Sequence, residues 1–349
     1  MLENKLTRKR YTLAIIGLGY VGLPLAVRFL KKNIRVVGID KDLKKIKNLR
    51  LGKSYIKSIK SSDLKYFKKN KNLVSTKYDL IKNCDVIIIC LPTPLKNNNN
   101  PNMDYLFKCA DNLRGFIKPQ KLIILESTVY PGASYDFIKR LKIKSNLGTD
   151  IFFSYSPERE NPGDKKFSYN ITPKVLGGYT KECEKLAEIV YKPIVKKIHK
   201  TKNIHVAEMS KLLENVYRSV NIALVNEMKI IADKININIH DVIDAASTKN
   251  FGFVKFDPGP GYGGHCIPID PVYLSWAAKK FGYKAKFVQT STIINNYMPQ
   301  WIFSKIKYFF KRKKIKLNRV LIFGVAYKKN IDDDRESPSY HFMKILKKK

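Results

Sequence analysis

The sequence is short of thiols and of acid. Five cysteines, Cys84, Cys90, Cys109, Cys183 and Cys266, stand in 349 residues. Their number is odd and no two form a C-x-x-C pair, so neither a disulfide framework nor a cysteine zinc site is suggested. Reduced thiols fit a cytoplasmic protein. Only 29 Asp and Glu balance 67 Lys and Arg, a formal net charge of +38. A clustered basic face would suggest a nucleic-acid partner. Here 55 Lys against 12 Arg are spread along the chain, together with much Asn and Ile. Lys, Asn and Ile share A/T-rich codons, so the excess reads as codon bias and a solvated surface, with no nucleic acid bound. It still attracts small anions at long range. Also missing is an uninterrupted apolar span. "KLTRKRYTLAIIGLGYVGLPLAVRFL" starts as a signal peptide would, but Gly17, Gly19, Gly22, Pro24 and Arg28 break it and no A-x-A-like cleavage site follows. Neither a leader nor a membrane partner is expected.

What is present argues for a folded chain of two or three domains: 44% apolar residues, 20 Tyr and 18 Phe. "YTLAIIGLGYVGLPLAVRFLKKNIRVVGID" reads as strand, glycine-rich turn, helix, strand. Gly17-x-Gly19-x-x-Gly22 follows the apolar run Leu13–Ile16, Pro24 sits in the first helical turn, and Asp40 closes the second strand. A lone G-x-G-x-x-G is weak, but with strand, helix and acidic residue in place it is the dinucleotide fingerprint. Its glycines bring a pyrophosphate to a helix N-terminus. Asp40 would accept from the ribose hydroxyls and repel a 2′-phosphate, so the expected cofactor is NAD. "CDVIIICLPTP", "KLIILESTVYPG", "DIFFSYSPERENPG" and, as the expected last strand, "PKVLGGY" continue the strands, and their continuous apolar runs predict a parallel sheet covered on both faces. Thr93, Thr128 and Glu158 lie just past strand ends, where such sheets bind ligands.

From about His205 a stretch of some thirty residues without Gly or Pro predicts one long helix. Leu212, Val216, Val220, Leu224, Met228 and Ile231 form its apolar stripe, read as core. Lys211, Asn215 and Arg218 share an adjacent face, either solvated or functional. Shorter helices are expected over 239–248 and 271–281. Between them lies "PGYGGHCIPIDP", residues 260–271, a loop bare of bulky groups around Cys266. From residue 318 the reading is strand, loop and helix start, one βα unit that cannot bury its own core.

The segments "IIGLGYVGLPLA", "LPTP", "LESTVYPG", "SPERENPG", "AEMSKLLENVYRSVNIALVNE", "PGPGYGGHCIPIDP" and "GVAYKKNIDDDRESPS" together resemble the UDP-glucose/GDP-mannose dehydrogenase family, in order and over residues 12–340. Within it, "LESTVYPG", "FGFVKFDPGPG" and "GHCIPIDP" look most like UDP-N-acetylglucosamine 6-dehydrogenases. The resemblance implies an α/β fold: an NAD-binding Rossmann domain over 1–204, a central helical and dimerisation domain over 205–317, and over 318–349 the start of a second, UDP-binding Rossmann-like domain. It implies a cytoplasmic homodimer that takes a UDP-sugar and oxidises its CH2OH to a carboxylate with two NAD, for surface-polysaccharide sugars. Cys266 then matches the nucleophile, Asp270 the water-orienting acid/base, Lys211 and Asn215 the oxyanion stabilisers, and Thr128 and Glu158 the pair that manages hydrolytic water. Glu158, Arg159, Lys211, Asn215, Arg218, Tyr262, Gly263 and Lys328 match substrate positions. Gly17, Gly19, Tyr20, Val21, Gly22, Asp40, Lys45, Thr93, Thr128 and Arg335 match cofactor positions. No metal is expected. A one-step dehydrogenase of the hydroxyacid type would need no cysteine, so Cys266 argues against it. UDP-N-acetylmannosamine and UDP-glucose are the alternative substrates. A remnant that binds NAD alone is the alternative function, since the resemblance calls for a complete second Rossmann-like domain and only its first unit is read here.

Overall fold

A computed structural model describes residues 2–68, 73–159, 171–264, 266–328 and 333–348. The chain divides into two compact units, Met1–Lys211 and Leu212–Lys349.

The first unit is built on eight strands: β1 Thr12–Ile16, β2 Arg35–Ile39, β3 Leu73–Ser75, β4 Val86–Ile89, β5 Lys121–Leu125, β6 Ile151–Tyr155, β7 Lys174–Gly178 and β8 Ile198–Lys200. They form one sheet in the order β3-β2-β1-β4-β5-β6-β7-β8. β1 is flanked by β2 and β4, and Ile15 stands between Gly38 and Ile88. Reversal of strand order about β1 makes the crevice beside it the place where such sheets take ligands. β1, β4, β5 and β6 are apolar and buried because helices cover both faces. α1 Leu2–Thr7, α2 Gly22–Lys31, α3 Leu43–Arg50, α4 Asp104–Leu113, α5 Ala133–Leu141 and α6 Lys181–Tyr191 supply that cover. Leu13, Ile15, Leu23, Phe29, Ile88, Ile124, Leu186 and Tyr191 share the main core.

Two expectations about the sheet are corrected. It is parallel only through β6, because β7 runs antiparallel to β6 with Tyr155 opposite Gly177. "PKVLGGY" is also not the last strand, since β8 pairs outside β7. An apolar run states that a strand is buried but carries no information on its direction.

α7 Ile204–Lys234 begins in the first unit and continues into the second, followed by α8 Ile239–Ser247, α9 Asp270–Lys280, α10 Lys286–Arg312 and α11 Pro338–Lys347. The apolar stripe of α7 is core only at its start. Leu212 and Val216 are buried, whereas Leu224, Met228 and Ile231 are exposed. An i, i+4 row drifts by roughly 40° per step because a turn holds 3.6 residues, so Ser219, Ala223 and Asn226 take over the buried face. In the second unit α10 packs against α9 and α11. It runs through Pro299, a residue that argues against a 27-residue helix, with Pro299 itself buried. Asn226 Nδ2 donates to Asn295 Oδ1 at 2.9 Å, and Asn295 Nδ2 to the Ser219 carbonyl at 3.0 Å, tying α10 to α7.

The strand expected after residue 318 does not form. Residues 315–326 make neither helix nor strand, and Leu321 and Phe323 are 76% and 90% exposed. Among the described residues no strand of this unit is available to pair with it.

Candidate functional site

The glycine-rich turn is packed to a tolerance that only glycine meets. Gly17 has φ +92° and a Cβ there would lie 2.4 Å from the Cys90 carbonyl oxygen, while a Cβ on Gly22 would lie 1.9 Å from the Gly17 oxygen. These contacts press α2 onto β1 and β4. Gly19 is different: a Cβ would meet nothing within 4 Å, so its missing side chain leaves open space over the helix N-terminus. That space, at the positive end of the α2 helix dipole, fits a pyrophosphate. Tyr20 is exposed and Val21 half-buried beside it.

Asp40 is buried just past β2. Its Oδ2 accepts from Leu18 N at 2.9 Å and Lys45 Nζ at 3.1 Å, and its Oδ1 from Asp42 N at 3.0 Å. Tyr55 donates its hydroxyl to the Leu18 carbonyl at 2.6 Å. Burial, then Asp40 and Asp42, hold its phenol above the ordinary range. The acidic residue is thus fastened to the glycine turn it follows by some twenty residues. Tyr55 lay outside the sequence reading, since nothing local marks it.

Farther along the same edge, Thr93 Oγ1 donates to the Thr128 carbonyl at 2.7 Å, joining the ends of β4 and β5. Thr93 is buried and Thr128 half-buried. Glu158 is half-buried past β6. Its Oε1 accepts from Arg159 N at 2.8 Å, while Arg159 Nη1 donates to the Pro173 carbonyl at 2.7 Å. Two groups here were not anticipated: Glu126, fully buried, and Lys174, whose Nζ lies 3.1 Å from Glu126 Oε1 and 3.8 Å from Glu158 Oε2. The remainder of "SPERENPG" lies outside the described residues.

Lys211 is buried on α7. One turn earlier, buried Glu208 accepts from Gly132 N at 2.6 Å and Ser134 N at 2.9 Å, capping α5. Glu208 also escaped the sequence reading. An acidic residue in a long helix is ordinarily solvated, and only the packing of α7 on α5 removes this one from water.

In the second unit the Cys266 loop precedes α9. Cys266 is exposed, whereas Cys84, Cys109 and Cys183 are buried and Cys90 half-buried. The Cys266 carbonyl accepts from Asp270 N at 2.9 Å, so loop and helix join without a break. Asp270 is buried in the first turn of α9, and its Oδ2 accepts from Asn215 Nδ2 at 2.5 Å. Arg218, one turn further along α7, is exposed. The loop's glycines serve the protein's own packing. A Cβ on Gly263 would lie 2.5 Å from the Tyr327 Cβ, and Gly264, at φ +86°, has the Tyr327 ring where its Cβ would be. Gly264 N donates to the Arg335 carbonyl at 2.8 Å, and Asn226 Oδ1 accepts from Gly259 N at 2.9 Å. Tyr262 and Lys328 are half-buried. Arg335, expected on the cofactor, is held bidentately by Asp333 at 2.8 and 2.6 Å. His265, beside the cysteine, lies outside the described residues. Among the described residues no cluster of His, Cys, Asp and Glu could hold a metal ion, and no helix is long and apolar enough to cross a membrane.

Comparison with known proteins places this arrangement. Residues 11–195 match the NAD binding domain of the UDP-glucose/GDP-mannose dehydrogenase family, and residues 205–297 its central domain. The chain is 36% identical to UDP-N-acetyl-D-glucosamine 6-dehydrogenase of Pseudomonas aeruginosa, over 94% of this chain and 78% of that protein. It is also 36% identical to UDP-N-acetyl-D-mannosamine dehydrogenase of Methanocaldococcus jannaschii, over 94% and 74%. The solved structure of UDP-D-ManNAc dehydrogenase from Pyrococcus horikoshii superposes with a TM-score of 0.88 at 31% identity, covering 97% of this chain and 81% of that one. With a glycine turn and a buried Asp40 suited to NAD, and with both family domains matched in order, the chain belongs to the UDP-glucose/GDP-mannose dehydrogenase family of NAD-dependent nucleotide-sugar oxidoreductases.

Proposed function

We propose that the protein oxidises the C6 hydroxymethyl of a UDP-N-acetylhexosamine, with UDP-N-acetylglucosamine as the preferred substrate, to the carboxylate. The observation that carries this reading is a single exposed thiol, Cys266, at the entrance to α9, with the buried Asn215–Asp270 pair in the helix's first turn. When bound, NAD would supply the hydride acceptor for each of the two oxidation steps. Cys266 adds its sulfur to the intermediate aldehyde, forming a C–S bond, and keeps that reactive carbon from escaping. The thiohemiacetal so formed gives up its hydroxyl proton and the second hydride to become a thioester. Water attacks its carbonyl and the C–S bond breaks, returning the thiol and releasing the acid. The positive end of the α9 helix dipole favours negative charge at the loop. Asp270, oriented by Asn215, takes protons from attacking groups. Asn215 and Lys211 stabilise developing oxyanion charge, where fixed donors contribute most. Thr128 and Glu158 order the hydrolytic water. Gly17, Gly19, Tyr20, Val21, Gly22, Asp40, Lys45, Thr93 and Arg335 hold NAD, while Arg159, Arg218, Tyr262, Gly263 and Lys328 serve the substrate.

The sugar assignment leans on the motifs around residues 125–132 and 251–271. The relatives at equal identity divide between the glucosamine and mannosamine epimers. A homodimer and a cytoplasmic location belong to the same proposal. The exposed apolar row Leu213, Tyr217, Leu224, Met228 and Ile231 on α7 supports pairing through that helix. The test is NADH production with UDP-N-acetylglucosamine, UDP-N-acetylmannosamine, UDP-N-acetylgalactosamine and UDP-glucose in separate assays. Two NADH per molecule of acid are expected, fastest with UDP-N-acetylglucosamine. Faster turnover of the mannosamine epimer would move the assignment, and no NADH from any of the four would overturn it.

A further inference from the structure

The reversal of β7 has a chemical consequence. Because β7 runs antiparallel to β6, its first residue, Lys174, arrives at the carboxyl end of the neighbouring strands, where ligands bind. A parallel strand would have placed it at the opposite edge. Lys174 is buried, and its Nζ lies 3.1 Å from Glu126 Oε1 and 3.8 Å from Glu158 Oε2. It donates to the Pro157 carbonyl at 3.5 Å and stands 4.9 Å from the centre of the Tyr191 ring. Tyr191, the last residue of α6, donates its hydroxyl to the same Glu126 Oε1, while the buried Oε2 of Glu126 has no hydrogen-bond partner among the described residues. Among the described residues the charged and titratable groups here are Cys90 after β4, Glu126 after β5, Glu158 and Arg159 after β6, Lys174 and Tyr191. Arg159 turns its guanidinium to the Pro173 carbonyl at 2.7 Å. One ammonium thus stands between two carboxylates.

We propose that Lys174 is a positioning residue for Glu158: its ammonium holds that carboxylate in place and sets the pH at which it releases its proton, and Glu126 competes for the same charge. The inference rests on reading Glu158 as the carboxylate that orders the hydrolytic water. Burial raises the Glu126 carboxyl above the ordinary range, Lys174 opposes this and the Glu158 charge adds to it. Two sites that interact so closely titrate as a pair. A cation serving only to neutralise Glu126 would leave Glu158 indifferent to both partners. Sharing instead predicts effects of opposite sign: without Lys174 the Glu158 carboxylate loses the stabilisation of this nearby positive charge, and without the Glu126 charge it gains a larger share of it.

The experiment follows the carboxyl carbon of Glu158 by NMR in glutamate-labelled full-length protein, assigned with Glu158→Gln, alongside the pH profile of acid formation from the C6 aldehyde. Lys174→Met is expected to move the Glu158 midpoint up by about 1 pH unit or more, the scale of an opposite charge within a few ångströms. Lys174→Arg should bring it back toward wild type, and Glu126→Gln should move it down. Lys174→Met leaves Glu126 buried without its cation and could misfold, so the double variant Glu126→Gln/Lys174→Met, neutral at both places, is measured too and should also titrate above wild type. A midpoint unmoved in the variants lacking Lys174, or moved in the same direction by Lys174→Met and Glu126→Gln, overturns the inference. If the midpoints move as stated but the acidic limb of the rate does not follow, Lys174 positions Glu158 as proposed and the role given to Glu158 is wrong.

Discussion

Asn215 donates its Nδ2 to the Asp270 Oδ2 at 2.5 Å, with both side chains buried. The bond ties the middle of α7 to the first turn of α9, and so fixes the exit of the Cys266 loop. Asn215→Ala removes a donor from a buried carboxylate, which costs about 1–3 kcal/mol of stability. Asn215→Asp sets two carboxylates against each other and should cost more at neutral pH than at pH 4. Urea unfolding of both variants at the two pH values checks this, and equal losses at both would show that the pair is not electrostatically coupled.

The glycines of the nucleotide turn should respond differently to the same methyl group. Gly22→Ala forces a Cβ to within 1.9 Å of the Gly17 carbonyl oxygen, so α2 must move off the sheet. A loss of about 1–3 kcal/mol is expected, as for other overpacked sites, together with loss of NAD binding. Gly19→Ala meets open space and should leave the melting temperature nearly unchanged while weakening NAD, because the added methyl occupies the approach to the helix N-terminus. Thermal melts and calorimetric titration separate the two effects.

Asp40 is expected to select the cofactor. Its carboxylate is anchored by Leu18 N and Lys45 Nζ, so it is held where ribose hydroxyls would meet it and cannot swing away from a 2′-phosphate. Dissociation constants should favour NAD over NADP by at least about tenfold in wild type, on the order of 1.4 kcal/mol. Asp40→Ser should narrow the gap, and tighter NADP binding by the wild type would refute the assignment.

Cys266→Ser should retain NAD affinity and lose net formation of the acid by at least about a hundredfold, since a hydroxyl is a far weaker nucleophile than a thiolate at neutral pH. The aldehyde, no longer captured, should become detectable with a carbonyl reagent. Undiminished acid from the serine variant would remove the thiol from the reaction.

Glu208 makes stability depend on pH. Burial holds its carboxyl above the ordinary range, partly offset by the N–H groups of Gly132 and Ser134. An unfolded glutamate titrates near about 4.3, so the native state holds this proton more tightly. The contribution is therefore complete below that pH and is lost as pH rises through the raised native value. Compared with Glu208→Gln, the wild type should lose stability between about pH 4.3 and neutrality, as read by urea unfolding at successive pH values. A constant difference across that range would contradict the direction given for this carboxyl.

The sequence alone determined the nucleotide half of the molecule and the identity of its cofactor. The reason is locality: a glycine turn, the helix after it and Asp40 lie within one βαβ stretch, and each is specified by backbone sterics or by periodicity readable over a few residues. The bareness of the loop around Cys266 was legible in the same way, as was α7, whose 31 residues lack any breaker. What the tertiary structure decided depends on contacts distant in sequence. The direction of β7 follows from how the chain returns to the sheet, and that direction alone brings Lys174 to Glu126, 48 positions away, and to Glu158. Glu208 becomes a buried cap only because α7 packs on the start of α5, 74 residues earlier. The glycines of the Cys266 loop look, in the sequence, as if they admit a ligand, and only the fold shows that Gly263 and Gly264 also make room for Tyr327. Residues 320–325 have the composition of a strand and form none here, because a strand exists only through the hydrogen bonds of a neighbour, whereas a helix such as α10 satisfies its own backbone and can run through Pro299 once packing on α9 and α11 supports it.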